Sequence, residues 1–401
     1  MDIKVLKRQM RSNCHYLPKL VITCMGLSAN ETNSKLYKLY AWIIQFLVAL
    51  YPMTCAHLMF SNMNNYNIVI AAIFNVVGGI ASVFKTFVIK KNRRGLKKIF
   101  DDIEMLQVQK NIKGWGQVEC YKMNKMMLAV IIIFYSFLFA LYIGTMLARI
   151  IVKDPNKWIM PIIEFSLFDT TYSPNFEIAW FYHTVATLGC SSIYCFADFL
   201  IAGLIIDLTT QYTVLTETIK IQFKSTCSEK NKEPSYEDLK AFIGSVVSHH
   251  TSLIQLTTEV NSACADLLLI TVMASLVTVS SAMYYATVVP MQSTAAVLSI
   301  FEMLAVITSM FVLSYFGTQL STASQNVANA CYELDFIGLD VRFQKSLLMI
   351  IMRCQRPAWL SVGGFTNLSI AVFTWMMRST YSYFMILRKN QQVKDGTMQS
   401  T

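Results

Sequence analysis

Apolar segments of about one membrane thickness recur from end to end of the chain, and this repetition limits the possible folds more than any other feature. A helix needs roughly 20 predominantly apolar residues to cross the hydrocarbon core of a bilayer. Only 14% of the 401 residues are charged, whereas an average soluble domain carries about 25%. The sequence therefore predicts a single all-α membrane protein that crosses the bilayer several times.

Seven transmembrane helices are predicted, at residues 36–60, 67–88, 126–152, 179–209, 263–288, 293–316 and 366–387. The stretches after spans 4 and 6 and before span 5 remain helix-compatible but are too polar for lipid. We therefore expect cytoplasmic helical extensions of spans 4–6. The segment FQKSLLMIIMRC predicts a short cytoplasmic helix before span 7, and Pro357 should end it because proline disrupts helical hydrogen bonding.

A basic segment between spans 2 and 3 determines the predicted orientation. Cytoplasmic loops of membrane proteins are rich in Lys and Arg. This segment contains Lys90, Lys91, Arg93, Arg94, Lys97 and Lys98. With the segment inside, residues 1–35 form a cytoplasmic N-terminus, and seven crossings leave the C-terminus extracellular. The basic N-terminal segment lacks the features of a secretory signal.

The net charge of +10 has the same explanation, because the cations gather beside apolar spans and do not form a nucleic-acid-binding patch. A cytoplasmic N-terminus is the reverse of the arrangement in G-protein-coupled receptors. No DRY or NPxxY motif lies at the predicted cytoplasmic edges. We therefore expect no nucleic-acid partner and no requirement for a G protein.

The sequence contains no recognisable catalytic or metal-binding motif. Its ten cysteines are scattered singly, and His183, His249 and His250 lack companions at metal-ligand spacing. Neither a Gly-rich phosphate loop nor a nucleophile elbow is present. We expect no enzymatic activity, no metal and no cofactor. A secondary transporter remains an alternative, because intramembrane charges occur there too, although the chain shows no repeats with broken helices in matching positions.

Two stretches resemble the insect odorant receptor family. The first, NKWIMPIIEFSLFDTTYSPNFEIAW before span 4, contains the pairs Phe168-Asp169 and Ser173-Pro174 and the triplet Phe176-Glu177-Ile178. The second is the C-terminal region, with the ordered residues Tyr332, Lys345, Leu348, Pro357, Gly364, Phe365, Ser369 and Phe373 followed by TYSYF. One departure is Phe336, which stands where many relatives have Trp.

Two related groups fit less well. Insect gustatory receptors would be expected to end in TY-x5-QF, whereas Leu387-Arg388 occupies the QF place here. A gustatory receptor channel therefore remains the alternative within the same fold. The family's shared co-receptor has an inserted cytoplasmic segment for which this chain has no room. The resemblance is to an odour-tuning subunit.

The resemblance implies one channel subunit over residues 1–401. Residues 36–335 would form spans 1–6, which supply the ligand-binding bundle and the cytoplasmic anchor, and residues 336–401 would supply the cytoplasmic helix and the pore-lining span 7. It further implies a ligand-gated non-selective cation channel in the plasma membrane of sensory neuron dendrites. The implied partners are an odorant co-receptor subunit in a heterotetramer, a small volatile organic ligand, the lipid bilayer and permeating cations.

Helical spacing selects pore candidates on span 7. One stripe at i, i+3 and i+4 spacing contains Trp375, Ser379, Ser382, Tyr383 and Ile386. The resemblance places Ile386 at the family's hydrophobic constriction, and Asn390 follows one turn later. An apolar ring at Ile386 could gate by dewetting. The alternative is that Ile386 faces lipid or a neighbouring span.

The resemblance also implies an odorant pocket in the outer half of the bundle, between spans 2 and 6. Such a pocket should be mostly apolar, with a few polar groups that orient the ligand. Any single candidate could equally be ordinary helix packing. The candidates are Tyr66, Ile70 and Phe74 on span 2, Tyr142, Thr145, Met146 and Arg149 on span 3, Phe181, Tyr182 and Val185 on span 4, and Ser281, Tyr284 and Tyr285 on span 5.

Two charged residues fall within predicted spans, Glu302 in span 6 and Arg378 in span 7. Charged side chains inside a bilayer need a partner or access to water. We therefore expect an Arg378–Glu302 ion pair, or an Arg378 that faces the watery inner vestibule.

Overall fold

The computed structural model describes residues 16–28, 34–64, 66–109, 115–152, 158, 172–228, 235–289 and 294–398. This part of the chain is almost entirely helical. The elements are α1 (Tyr16–Cys24), α2 (Lys35–Ser61), α3 (Tyr66–Lys91), α4 (Arg93–Gln109), α5 (Trp115–Ile151), α6 (Asn175–Ser228), α7 (Tyr236–Val288), α8 (Thr294–Tyr332), α9 (Val341–Cys354), β1 (Ser361–Val362), β2 (Thr366–Asn367) and α10 (Ile370–Met398).

Among the described residues, six helices are long and apolar enough to cross a membrane. They are α2, α3, α5, α6, α7 and α8, and they correspond to the first six predicted spans. The last helix, α10, is less apolar, since it includes Arg378 and several hydroxyl side chains. Predicted span 7 began too early: Thr366–Asn367 pairs as a strand with Ser361–Val362, so the helix begins only at Ile370.

The predicted helical extensions of spans 4–6 are confirmed as continuous helix. Helix α6 runs on to Ser228, α7 begins at Tyr236, and α8 continues to Tyr332. Helix α6 is the centre of the bundle, because every residue from 196 to 208 is buried. The polar extension of α7 is stable because it still presents a buried apolar stripe, which includes Leu239, Val246, Leu253 and Val260.

The short helix before span 7 is also confirmed. It is α9, and the Asp340 carboxylate caps it by accepting a hydrogen bond from the backbone N–H of Arg342 at 2.7 Å. Helix α9 ends at Cys354, shortly before Pro357. This end was predicted, because proline cannot continue a helix.

The basic segment between spans 2 and 3 is a helix, α4, which was not predicted. Its buried residues Leu96, Ile99, Phe100 and Ile103 lie at helical spacing and pack into the main core. On its exposed side, Lys98 Nζ lies 2.8 Å from Glu259 Oε1 on α7. This hydrogen bond raises the pKa of Lys98. Helix α4 therefore ties the end of α3 to the polar extension of α7.

The β-hairpin fixes the start of α10 against α7 and α8. At its tip, Gly363 has a φ of +59° and its backbone N–H donates to the carbonyl of Ala265 at 3.1 Å. A Cβ on Gly363 would lie 2.8 Å from Leu269 Cδ2. On the other side, a Cβ on Gly317 would lie 2.7 Å from the carbonyl oxygen of Leu368. Glycine is required at Gly317 because the backbone of Leu368 lies so close, and at Gly363 because φ is positive and the Leu269 side chain occupies the place of a Cβ.

Candidate functional site

A cavity lies in the bundle formed by α2, α3, α5, α6, α7 and α8. It contains about 570 Å³ of space free of protein atoms, part of which is open to the surroundings, and about 70 Å³ of that space admits the centre of a water-sized sphere. The lining residues are Tyr51, Phe74, Asn75, Gly78, Gly79, Ser82, Phe134, Thr187, Cys190, Ser191, Tyr194, Cys195, Thr278, Glu302, Ala305 and Val306.

Two adjacent glycines on α3 shape this cavity in different ways. A Cβ on Gly79 would lie 3.0 Å from Cβ of Pro52, so this glycine allows α2 and α3 to pack closely. A Cβ on Gly78 would meet nothing within 4 Å. The absence of a side chain at Gly78 therefore leaves part of the cavity open.

The walls are mostly aromatic and small, and several of their hydroxyl groups are already used within the bundle. Tyr51 Oη donates to Asn75 Oδ1 at 2.7 Å. Ser82 Oγ donates to the carbonyls of Gly78 and Cys190, each at 2.9 Å. These bonds hold α2, α3 and α6 together around the cavity. A ligand would therefore meet mainly apolar surface.

A buried ion pair marks the end of the cavity nearer the C-terminus of α3, which we call the inner end. Lys85 Nζ lies 2.7 Å from Asp198 Oδ1 and donates to the carbonyl of Tyr194 at 2.8 Å. Asp198 also accepts hydrogen bonds from Thr271 at 2.7 Å and Ser309 at 3.1 Å. The network joins α3, α6, α7 and α8. Its hydrogen bonds satisfy both charges, which is necessary because an unpaired charge buried away from water is costly.

An aromatic layer flanks the cavity on the side of α5 and the start of α6. Phe134 stacks on Phe301 with ring centroids 5.9 Å apart, and Tyr142 meets Trp180 edge to face at 6.3 Å. Trp180 Nε1 donates to Thr145 Oγ1 at 3.2 Å. This layer closes the cavity on that side.

Arg149 belongs to a second cluster at the end of α5. It forms an ion pair with Glu177, and its guanidinium lies 4.7 Å from the ring centroid of Trp158 and 5.9 Å from that of Phe176. Met146 packs against the same apolar group, and Ser173 Oγ donates to Glu177 Oε1 at 3.1 Å. This cluster fastens α5 to the start of α6, so Arg149 is held by the protein and not aimed at the cavity.

Of the thirteen residues predicted for an odorant pocket, Phe74 lines this cavity. Ile70 and Tyr284 instead pack with Phe384 of α10 in a closed apolar cluster. Phe181 is 63% exposed and points away from the bundle, contrary to the prediction.

The other described candidates do not line the cavity. Tyr182 Oη is 3.2 Å from Thr54 Oγ1, and Ser281 Oγ donates to the carbonyl of Val277 at 2.7 Å. Val185 and Tyr285 are half-buried. The side chain of Tyr66 lies outside the described residues.

Most of the residues that line the cavity were not predicted, including Tyr51, Thr187, Tyr194 and Thr278. In the sequence, the only feature that could indicate them is a hydroxyl or aromatic group in the middle of an apolar span. Many residues outside the cavity share that feature.

Helix α10 has two distinct faces. The residues Val372, Met376, Thr380 and Phe384, each four apart, are buried against the bundle. The predicted pore stripe lies on the other side: Trp375, Tyr383 and Ile386 are 54%, 53% and 55% exposed, Ser382 is exposed and Ser379 is half-buried. The side chain of Asn390 lies outside the described residues. An isolated chain thus leaves an apolar and hydroxyl-rich helix face uncovered.

The predicted Arg378–Glu302 ion pair is not formed. Glu302 lines the cavity, whereas Arg378 is exposed on the uncovered face of α10. Each residue lies about two turns after the start of its helix. Glu302 nevertheless faces the interior of the bundle, and Arg378 faces its outside. Of the two expectations, the exposed position of Arg378 fits a side chain that faces water.

The fold defines a polytopic α-helical membrane protein with a largely apolar cavity between six of its helices. Comparison with known proteins gives the family. The family described as 7tm odorant receptor matches residues 65–381. The chain belongs to this family.

Individual relatives are more distant. Odorant receptor 67a of Drosophila melanogaster is 26% identical over 247 residues, 61% of this chain and 59% of that receptor. Odorant receptor 10 of Aedes albopictus is 22% identical over 222 residues, 55% of this chain and 57% of that receptor. The chain thus spans less than two thirds of the length of these two relatives.

A solved structure shares the whole fold. The insect olfactory receptor OR5 from Machilis hrabei in complex with eugenol is similar with a TM-score of 0.77 and 14% identity, over 94% of this chain and 97% of that chain. A second structure of the Machilis hrabei receptor OR5 is similar with a TM-score of 0.73 and 15% identity, over 93% of this chain and 96% of that chain.

Proposed function

We propose that this chain is the odour-tuning subunit of a heteromeric ligand-gated, non-selective cation channel. Its partner would be an odorant co-receptor subunit, and the complex a heterotetramer in the plasma membrane of sensory neuron dendrites. The observation that carries the proposal is the cavity between six helices in a chain of the odorant receptor family. The eugenol complex of the Machilis receptor supports a small organic ligand.

The proposed topology has seven crossings, with α10 as the seventh, the N-terminus in the cytoplasm and the C-terminus outside. Six apolar helices supply the first crossings. The cations on α4, at the end of the second crossing, favour the cytoplasm for that side of the bundle. The lower apolarity of α10 suits a helix that lines water instead of facing lipid.

The uncovered face of α10 supports a pore shared between subunits. Trp375, Tyr383 and Ile386 are large and more than half exposed in the single chain. In a membrane protein such surface faces lipid, is covered by a partner subunit or lines a conduit. The exposed Arg378 and Ser382 on the same helix favour a partner or a conduit, because a charged side chain facing lipid is costly. In a ring of subunits, Ile386 would form the apolar constriction and open or close it by small rotations of α10.

Ligand binding would bias a closed–open equilibrium if the open state bound the ligand more tightly. The cluster of Ile70, Tyr284 and Phe384 offers a packed connection, because it joins α3 and α7 to α10. Phe74, one turn beyond Ile70 on α3, lines the cavity. A ligand that shifts α3 would therefore also disturb the contact of α3 with the pore helix.

The test is to record currents from cells that express this chain with the co-receptor, while a panel of volatile compounds is applied. A current that needs both subunits and a ligand supports the channel, and ligand uptake without current supports the transporter alternative. Gly78→Leu should abolish the response, since the new side chain would occupy the cavity. Gly144→Leu is the matched control, because Gly144 is exposed and a Cβ there also meets nothing within 4 Å.

A further inference from the structure

Glu302 is the one acidic residue among the described residues that line the cavity. It lies on α8, half-buried among residues of an apolar span. Among the described residues, no hydrogen bond or ion pair is formed by its carboxylate. An acidic group at such depth normally has a partner or marks the path of a ligand.

The nearby cation does not compensate Glu302. Lys85 follows the cavity residue Ser82 by one helical turn, but its ammonium is bonded to Asp198 and to the carbonyl of Tyr194. The Lys85–Asp198 pair carries no net charge. Because Arg378 is exposed on α10, it does not supply the missing positive charge either.

The surroundings of Glu302 suit a cation in two further ways. The aromatic rings of Tyr51, Phe74, Phe134 and Tyr194 line the same cavity, and ring faces attract ammonium groups. A hydrogen bond between an ammonium and a carboxylate is also stronger than one between neutral groups. The desolvation cost of each charge is offset only when the two meet in good hydrogen-bonding geometry.

We propose that Glu302 makes the cavity selective for small amines whose hydrocarbon part fills the aromatic space. The protonated nitrogen would donate to the Glu302 carboxylate, and the ring or chain would contact the aromatic walls. This inference rests on the proposed function, in which the cavity is the ligand site. A neutral ligand of the same shape would bind more weakly, because it leaves the negative charge of the carboxylate uncompensated even where a hydroxyl group donates to it.

The experiment compares 2-phenylethylamine with 2-phenylethanol, which have similar shapes and differ in charge, on cells expressing this chain with the co-receptor. The wild type should respond to the amine at a lower concentration. Glu302→Gln should raise the half-maximal concentration of the amine by about 10- to 100-fold and leave that of the alcohol nearly unchanged. Glu302→Asp, which keeps the charge, should retain the preference and guards against a folding defect. Surface labelling measures the amount of each variant.

Phe74→Leu provides the contrast within the cavity, since it removes an aromatic wall and should weaken both ligands. A wild-type channel that opens with other volatile compounds but with no amine overturns the inference and leaves the proposed function standing. Equal effects of Glu302→Gln on amine and alcohol would also overturn it, and would favour a neutral carboxyl that donates to carbonyl or hydroxyl ligands. If no volatile compound evokes a current in any combination of subunits, the proposed function itself fails.

Discussion

Lys85 and Asp198 form a fully buried ion pair at the inner end of the cavity, with Nζ 2.7 Å from Oδ1 and side chains 0% and 1% exposed. The carboxylate binds Thr271 and Ser309 as well, so four helices meet at one point. A buried pair contributes little net stability compared with apolar replacements, but an unpaired member is costly. The pair therefore fixes how α3, α6, α7 and α8 are arranged around the cavity.

Removal of one partner should destabilise the fold strongly. We expect Lys85→Met to cost about 3–5 kcal/mol, because it leaves the Asp198 charge buried and uncompensated. The double change Lys85→Met with Asp198→Asn should cost clearly less than the sum of the single changes. Thermal unfolding of the detergent-purified protein measures both.

The exposed pair Lys98–Glu259 provides the matched control. Its side chains are 59% and 27% exposed, and exposed pairs contribute about 0–1 kcal/mol. Lys98→Met should therefore change the unfolding temperature little. Additive costs at Lys85 and Asp198 would contradict a specific pairing.

Much of the helical architecture could be predicted from the sequence, because span length and charge position follow directly from the physics of the bilayer. The long extensions of α6, α7 and α8 could also be predicted, because the residues next to these spans keep a helical pattern but are too polar for lipid. Helix α4 was missed although its buried residues Leu96, Ile99, Phe100 and Ile103 follow helical periodicity. Four of the six cations that mark the predicted orientation lie on α4, and these charges mask the apolar periodicity between them.

The cavity was much less predictable. A transmembrane helix is apolar all round, so its sequence does not show which side faces the interior. Phe181 and its neighbour Tyr182 are equally plausible from sequence, yet the first is 63% exposed and the second is half-buried. Depth was misjudged as well. The lining of α3 runs from the predicted Phe74 to Ser82, about one to three turns beyond the predicted Ile70.

Gly363 should be sensitive to substitution because the hairpin tip packs on α7. Gly363→Ala should destabilise the protein by about 2–4 kcal/mol, since a positive φ is strained for alanine and the new methyl group overpacks against Leu269. Gly364→Ala is the control, because Gly364 also has a positive φ of +80° but a Cβ there meets nothing within 4 Å. It should lose only the strain contribution of about 1–2 kcal/mol. Equal unfolding temperatures for the two variants would argue against the contact.

Replacement of Ile386 should change conduction without a large change in stability. The side chain is 55% exposed, so Ile386→Ala removes little packing within the subunit. If Ile386 forms the apolar constriction, the smaller side chain should admit water and raise the current in the absence of ligand several-fold. Met385→Ala tests a neighbour that is 43% exposed but lies about 100° further round the helix. An Ile386→Ala channel with an unaltered closed-state current would mean that this residue faces lipid or a neighbouring helix.

Arg388 and Lys389 should make a channel built from this chain alone a poor conductor of cations. Both residues are exposed near the end of α10, the end proposed to be extracellular, and four copies of each would form positive rings around the pore mouth. Such rings repel cations, and co-receptor subunits would dilute them. We expect small currents from the chain alone and larger ones after Arg388→Gln with Lys389→Gln, while Arg342→Gln, which changes an exposed residue on α9, should have no effect. A full-sized ligand-evoked current from the unmodified chain alone would show that these charges lie away from the ion path.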